Sequence, residues 1–456
     1  MRTVQELQTS LSQIDKMDVN PYAGHLFTYV YETGDKKLRR LQHEALNMFY
    51  DRNALDFTTF KSAAFFEKEI VKFAKSISHA NEGVLGTLTS GGTESILLAV
   101  KSARDLFRKM RGMDEVPEIV VPLSGHPSWA KGAEYFDLKL KFVAIDPKTK
   151  KVDIEALKSA INDKTALVVA SAPNFPYGSI DQIQSIGQIT KDKGVLLHVD
   201  ACVGGFILPF FEKLGETVPV YDFREDGVTS ISMDTHKYGY SLKGSSVLLF
   251  RNPEMKKYSN YINVSWPGYI FVNTSILSSR SVGPMASAWT AINYLGQDGY
   301  LALTQKVISA RNYIFKKLSK LGFKSTAPLE SSILSLYNDE IDLFGFVFGM
   351  QKRSWHLEVQ KAIPGVVPYN IHMTLSPVHE KLSRQFITAA YETINSPPES
   401  EYKNLMENIL SGDLNVLIKM VKDGNINPVL ILKLLEHIPA GSAREIANEI
   451  VNEMFR

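Results

Sequence analysis

The sequence predicts an α/β protein: a large, doubly wound, mainly parallel sheet domain, a smaller C-terminal α+β domain and an N-terminal arm. Three observations carry this. Short apolar runs alternate with helical patterns between about residues 58 and 290. Several of those runs are apolar almost throughout, as strands buried on both faces are. A chain of 456 residues is long enough for one large core and a smaller unit beside it.

Residues 1–57 read as a helical arm, in which KKLRRLQHEALNMFY (36–50) sets Leu38, Leu41, Ala45 and Met48 on one helical face. Within 58–292, TESILLAVKSARDLFRK (93–109) reads as a helix. The strands there are EIVVP (118–122), LKFVAI (140–145), ALVVASAP (166–173), VLLHVDA (195–201), VTSISM (228–233) and SSVLLF (245–250). Strands and helices at this spacing make a doubly wound sheet. Within 293–456, LTQKVISARNYIFKKLSKLGF is helical and SILSLY is a strand, and a polar, helical tail follows NSPPES (395–400).

Composition excludes several classes of function. A net charge of +2 and a pI near 8.2 give no case for nucleic-acid binding. An apolar content of 44% and a charged content of 22% are those of an ordinary soluble protein. Cys202 is the single cysteine, so no internal disulfide forms and a reducing compartment is expected. The first residues lack an apolar signal segment, and no apolar run is long enough to span a bilayer. A cytoplasmic protein without a transmembrane segment is expected, and no metal site.

Three stretches look like chemistry. In TLTSGGTESILLA (87–99), Gly91, Gly92 and Thr93 lead straight into a helix, whose free N–H groups attract phosphate. A glycine turn before an ordinary helix explains this stretch alone equally well. In LLHVDACVGGF (196–206), Asp200 ends an apolar strand, with Ala201 after it. A buried carboxylate needs a partner, which a pyridinium N–H or a structural arginine would each supply. In SMDTHKYGYSLKGSS (232–246), Lys237 and Lys243 stand among small, aromatic and hydroxyl residues, and a lysine in a dry site can form a Schiff base. Taken singly, each has a plain structural reading. Together they occur in order, each on the C-terminal side of a predicted strand, where α/β sheets bind ligands. They describe a site for pyridoxal 5'-phosphate (PLP), with phosphate on Gly92 and Thr93, ring nitrogen on Asp200 and aldehyde on Lys237. His126, in SGHPSWAKGA, is a candidate to stack on the ring, and His236 to touch the phosphate.

TSGGTESILLAVKSARD, SAPNFPYGSIDQI, HVDACVGGF, GVTSISMDTHKYGYSLKGSS and LSSRSVGP closely resemble the sphingosine-1-phosphate lyase family, a branch of the fold-type I, group II decarboxylase-like PLP enzymes. The resemblance runs from about 22 to 395 and is dense between 86 and 290. It implies a homodimer with shared active sites that cleaves a phosphorylated sphingoid base to a fatty aldehyde and phosphoethanolamine. It implies Lys237 as the Schiff-base lysine, His126 on the ring and Asp200 on its nitrogen. Gly92, Thr93 and His236 would bind the cofactor phosphate, with Ser279 reaching it from the other subunit. Lys243 would bind the phosphate of a small amphiphilic substrate, with Asn53 and Tyr31 in the substrate site.

The substrate half departs from the family pattern. Asp56, in NALD (53–56), replaces a histidine, and a carboxylate beside a phosphate dianion repels it by roughly 1–4 kcal/mol per charge pair at about 4 Å. Phe271, in GYIF, lacks the family's tyrosine hydroxyl, Tyr269 adds bulk where glycine is usual, and Tyr177 replaces a histidine. Decarboxylation needs no base for a β-hydroxyl, so Phe271 keeps an amino-acid decarboxylase as the alternative. A non-catalytic relative is the third reading.

Overall fold

The computed structural model describes residues 1–396, 407 and 440–454. Its main sheet is built from β1 (Leu85–Thr89), β2 (Glu118–Pro122), β3 (Lys139–Val143), β4 (Thr165–Ser171), β5 (Leu196–Asp200), β6 (Val228–Met233) and β7 (Ser246–Phe250). The strand order is β1-β7-β6-β5-β4-β2-β3. β3, β2, β4, β5 and β6 pair in parallel, and β7 runs antiparallel to both β6 and β1.

The apolar runs are explained by what lies on the sheet's two sides. On β4, Val168 and Ala170 enter the main core, while Leu167 and Val169 enter a second apolar cluster on the opposite face. Successive strand residues face opposite ways, so a strand covered on both sides is apolar without alternation. β1 escapes that reading because GTLT is short, small and partly polar. It is an edge strand, and Gly86 lets it close onto Val71 and Leu249, where an added Cβ would stand 2.8 and 2.7 Å from their side chains.

The arm holds helices α1 (Val4–Asp15) and α2 (Lys36–Phe49), and α3 (Lys61–Ile77) opens the large domain. Asp35 caps α2 by accepting from the N–H groups of Lys37 and Leu38. Its buried face differs from the expected one. Leu38 and Gln42 are buried and Met48 is 63% exposed. Gln42 goes inward because its amide donates to Tyr240 O at 2.7 Å, tying the arm to the loop after Lys237.

Around the sheet lie α4 (Gly92–Arg111), α5 (Ser128–Phe136), α6 (Ile154–Ala160), α7 (Ile183–Asp192), α8 (Leu208–Lys213) and α9 (Pro253–Lys257). A two-stranded hairpin, β8 (Tyr261–Asn263) and β9 (Phe271–Asn273), stands apart from the sheet. Helix α10 (Gly283–Ser319) crosses the expected 292/293 boundary and bends at Gly296, whose φ of 54° suits glycine. Beyond it, β10 (Lys324–Ser325), β11 (Ile333–Tyr337), β12 (Glu358–Gln360) and β13 (Asn370–Thr374) form an antiparallel sheet in the order β10-β11-β13-β12. Helices α11 (Leu343–Lys352) and α12 (His379–Asn395) pack beside it, and α13 (Ala440–Met454) is described in the tail. The rest of the tail's expected helix falls outside the described residues.

Candidate active site

The C-terminal ends of β4, β5 and β6, the loop after β2 and the start of α4 meet around a cavity of about 360 Å³. Of the residues singled out in the sequence, Gly91, Gly92, Thr93, His126, Asp200, His236 and Lys237 line it. Ala201 is fully buried in the main core and is not on its wall.

Lys237 lies on the turn after β6, and its ammonium meets Asp234 Oδ2 at 2.9 Å. Burial works against its charge, but the Asp234 carboxylate outweighs burial and holds the ammonium above the ordinary lysine range. Burial likewise opposes charge on Asp234, and Lys237 followed by His236 overcomes it, so that carboxyl is held low. The turn itself is fixed by Tyr238, whose hydroxyl donates to Leu375 O, and by Thr235, whose hydroxyl donates to Ser245 O.

Asp200 is 8% exposed and accepts from two neutral donors, Trp129 Nε1 at 3.2 Å and Cys202 N at 3.2 Å. Among the described residues it has no cationic side-chain partner, so a cationic N–H entering the cavity would satisfy it. His126 is held by Ser128, whose backbone N–H donates to its Nδ1 at 3.2 Å. The proton of the neutral ring therefore sits on Nε2. Burial pushes this imidazole below its usual pKa, and Lys237 adds to the push against the opposing Asp200. Ser128 Oγ lies 2.9 Å from Thr93 Oγ1, which links the ring to the start of α4. No side chain caps α4's first N–H groups, which leaves them for an anion. His236 donates from Nδ1 to Ser245 O at 2.8 Å and stands 3.7 Å from Asp234 Oδ2 through Nε2.

These features fit PLP: an anion slot, an uncompensated carboxylate, a neutral flat ring and a lysine, in a cavity of suitable size. Sequence reasoning missed Asp234, Trp129 and Ser128. The signal for Asp234 was present, since a carboxylate ends a strand three residues before the lysine.

The residues assigned to substrate lie elsewhere. Lys243 and Tyr31 line a second cavity of about 230 Å³ that shares His236 with the first. Much of the Lys243 stem is exposed, yet its ammonium turns inward to Tyr29 O at 2.5 Å and lies 5.5 Å from the Tyr31 ring. Burial, then the charge on Lys237, pushes that ammonium down to about 8. Burial pushes the Tyr31 phenol up to about 12.

Asn53 and Ser279 touch each other at 3.1 Å and line neither cavity. Phe271 sits in the hairpin among Tyr261, Trp266 and Tyr269, away from both. The Asp56 carboxylate accepts from the hydroxyl and backbone N–H groups of Thr58 and Thr59. Tyr177 is buried in a small apolar cluster with Ile145, Ala327 and Val367.

A lysine, a buried carboxylate without a cationic partner and an anion slot at one sheet edge define an enzyme that carries PLP. Comparison with known proteins agrees. The family described as "Pyridoxal-dependent decarboxylase conserved domain" matches residues 60–327. The sphingosine-1-phosphate lyase of Dictyostelium discoideum is 37% identical over 77% of this chain and 66% of its own length. Sphingosine-1-phosphate lyase 1 of Rattus norvegicus is 35% identical over 85% of this chain and 68% of its own. A solved sphingosine-1-phosphate lyase from Burkholderia pseudomallei superposes with a TM-score of 0.80 at 29% identity, covering 90% of this chain and 93% of that one. The chain belongs to the sphingosine-1-phosphate lyase family, a branch of the pyridoxal-dependent decarboxylases. Its cofactor is PLP. It spans about two thirds of the length of the Dictyostelium relative.

Proposed function

We propose that this protein is a PLP-dependent carbon–carbon lyase that cleaves a phosphorylated long-chain base into a fatty aldehyde and phosphoethanolamine. The observation that carries this reading is the second cavity, where the Lys243 ammonium offers a seat for an anionic end one residue, His236, away from the cofactor cavity. A compact ammonium suits that task.

Bound PLP supplies an electron sink for the bond cleaved beside the amine-bearing carbon. Lys237 holds the cofactor and gives it up to substrate. Asp200 keeps a proton on the ring nitrogen, and Trp129 and the Cys202 N–H keep Asp200 aimed. His126, neutral and pinned by Ser128, presents a flat face without adding charge. Lys243 would bind the substrate phosphate and so orient the substrate toward the cofactor cavity. His236 divides the two cavities.

The site is completed, in this reading, by a second copy. Asn53 and Ser279 meet at the surface, and the hairpin exposes Ile262, Val264, Trp266, Tyr269 and Ile270, a patch that a second subunit would cover while receiving those residues. No helix among the described residues is long and apolar enough to cross a membrane.

The test is a product assay. A phosphorylated sphingoid base should yield a long-chain aldehyde, whereas carbon dioxide from an aromatic or acidic amino acid would instead support the decarboxylase. Lys243→Ala should lower kcat/KM for the phosphorylated base by about a hundredfold or more while leaving the visible absorbance of bound cofactor in place. Wild-type turnover in that variant would refute the seat assigned to Lys243.

A further inference from the structure

Of the carboxylates on the wall of the cofactor cavity, Glu94, Asp200 and Asp234, the last touches the lysine and has no role in the mechanism above. Asp234 is 1% exposed. Its Oδ2 accepts from Lys237 Nζ at 2.9 Å. Its Oδ1 is buried without a hydrogen-bond partner, the nearby Ser246 hydroxyl donating to Met233 O while still favouring the ionised form. Asp234 also presses on the anion slot. A methyl group on Gly92 would lie 2.8 and 2.9 Å from the two carboxylate oxygens. A negative charge so close to where a phosphate binds is costly unless something else needs it there.

What needs it is the lysine. A nitrogen about to bond a carbonyl carbon must carry a free electron pair, so an ammonium is inert until it loses a proton. We propose that Asp234 is the holding site of the Lys237 amine: whenever that nitrogen is not bonded to carbon, the carboxylate binds it as an ammonium, keeps it in the cavity and makes capture of a carbonyl wait on removal of a proton. The inference rests on Lys237 being the residue that bonds the cofactor. Capture then balances simply. One N–H bond of the ammonium breaks and its proton leaves to a base. The freed pair bonds the carbonyl carbon, the two hydrogens left on nitrogen pass to the carbonyl oxygen, and that oxygen departs as water, leaving a neutral C=N bond. On release the nitrogen takes up protons and returns to Asp234.

The other ionisable groups around Lys237 do not replace this one: Asp200 is taken up by Trp129 Nε1 and the Cys202 N–H, and Glu94 accepts from the Ser90, Ile276 and Leu277 N–H groups. Tyr31 and Cys202 are neutral, because burial raises both. Burial holds His236 and His126 toward their neutral forms, and the Lys243 ammonium disfavours a further positive charge nearby. Asp234 is the charge that tips the balance.

The test uses the full-length enzyme, freed of cofactor with hydroxylamine and returned to saturating PLP between about pH 6 and pH 9. The reading is the first-order rise of the visible band, confirmed by borohydride trapping. Wild-type capture should quicken about tenfold for each pH unit. Asp234→Asn and Asp234→Ser should capture at least about tenfold faster near neutrality, with the advantage shrinking as pH rises. A purely structural Asp234 would not move that profile. Pyridoxine 5'-phosphate, which lacks the aldehyde, checks the slot separately: if wild type fails to bind it, the assignment of Gly92 and Thr93 falls, not the holding site. Variants that bind it yet capture PLP at the wild-type rate at every pH overturn the proposal. Should both variants fail to fold, a flat wild-type profile overturns it and a rising one upholds it.

Discussion

The cofactor cavity and the surface carrying Asn53, Ser279 and Phe271 are built on different principles. Each reactive group in the cavity is held by a neighbour that is itself buried: Lys237 by Asp234, Asp200 by Trp129, His126 by Ser128. On the surface, Asn53 donates to Ser279 and otherwise accepts only from the backbone N–H groups of Leu55 and Arg280, and Phe271 leans on the exposed rings of Tyr261, Trp266 and Tyr269. Preorganisation belongs to the cavity. In the proposed function, this surface is finished by a second copy. Substitutions in the cavity should therefore act in the isolated chain, and those on the surface only through its partner.

Lys237→Ala should show the largest effect. It removes the covalent anchor of the proposed function and leaves the Asp234 carboxylate buried without its cation. Turnover should fall by about a thousandfold or more, and the visible cofactor band should vanish. Removal of one member of a buried pair costs roughly 3–5 kcal/mol, lessened here because Lys237 is one-fifth exposed to the cavity. Calorimetry on the cofactor-free proteins would show it. Should the variant be as stable as wild type without cofactor, the Lys237–Asp234 pair does not organise the cavity.

A middle-sized effect is expected at Trp129, which is fully buried. Trp129→Phe keeps a ring but removes the N–H that donates to Asp200 Oδ2. Loss of a hydrogen bond to a charged group costs about 1.5–3 kcal/mol. The thermal midpoint should drop, and kcat/KM should fall by about tenfold, mostly in kcat, because the carboxylate is less well aimed rather than absent. An unchanged kcat would mean that the Cys202 N–H alone positions Asp200.

The same contrast explains what could be read in the sequence. Lys237 and Asp200 are legible because each follows a strand whose apolar run marks it, and strand ends converge in a doubly wound sheet, while the Gly92–Thr93 turn is legible from paired glycines leading straight into a helix. Strands β2 and β6 were found at their observed bounds for the same reason. Edge strand β1 was not, since a strand of small residues lacks that mark. The expected apolar face of α2 leaves out Gln42, because its reason for burial, Tyr240 O, lies 198 positions away in the chain. Asp234, Trp129 and Ser128 act through a neighbour, and such roles appear only when the neighbour's position is known. The arm residues were hardest, because their surroundings include surfaces outside this chain's own cavity.

The smallest effect is expected at Asp56. From the sequence it is a charge beside the substrate phosphate. In the fold its carboxylate is occupied by the hydroxyls of Thr58 and Thr59 and their N–H groups, which hold it well below the usual range. A carboxylate whose folded pKa is depressed stabilises the fold above its ordinary value and loses that contribution as pH falls through it. Asp56→Ala should therefore lower the thermal midpoint slightly at neutral pH, with the difference fading below about pH 4. Because the side chain points into its own turn, KM for the phosphorylated base should change by less than about twofold. A clear fall in KM, with the midpoint unmoved, would return Asp56 to the substrate's side and show that docking of a second copy rearranges the turn.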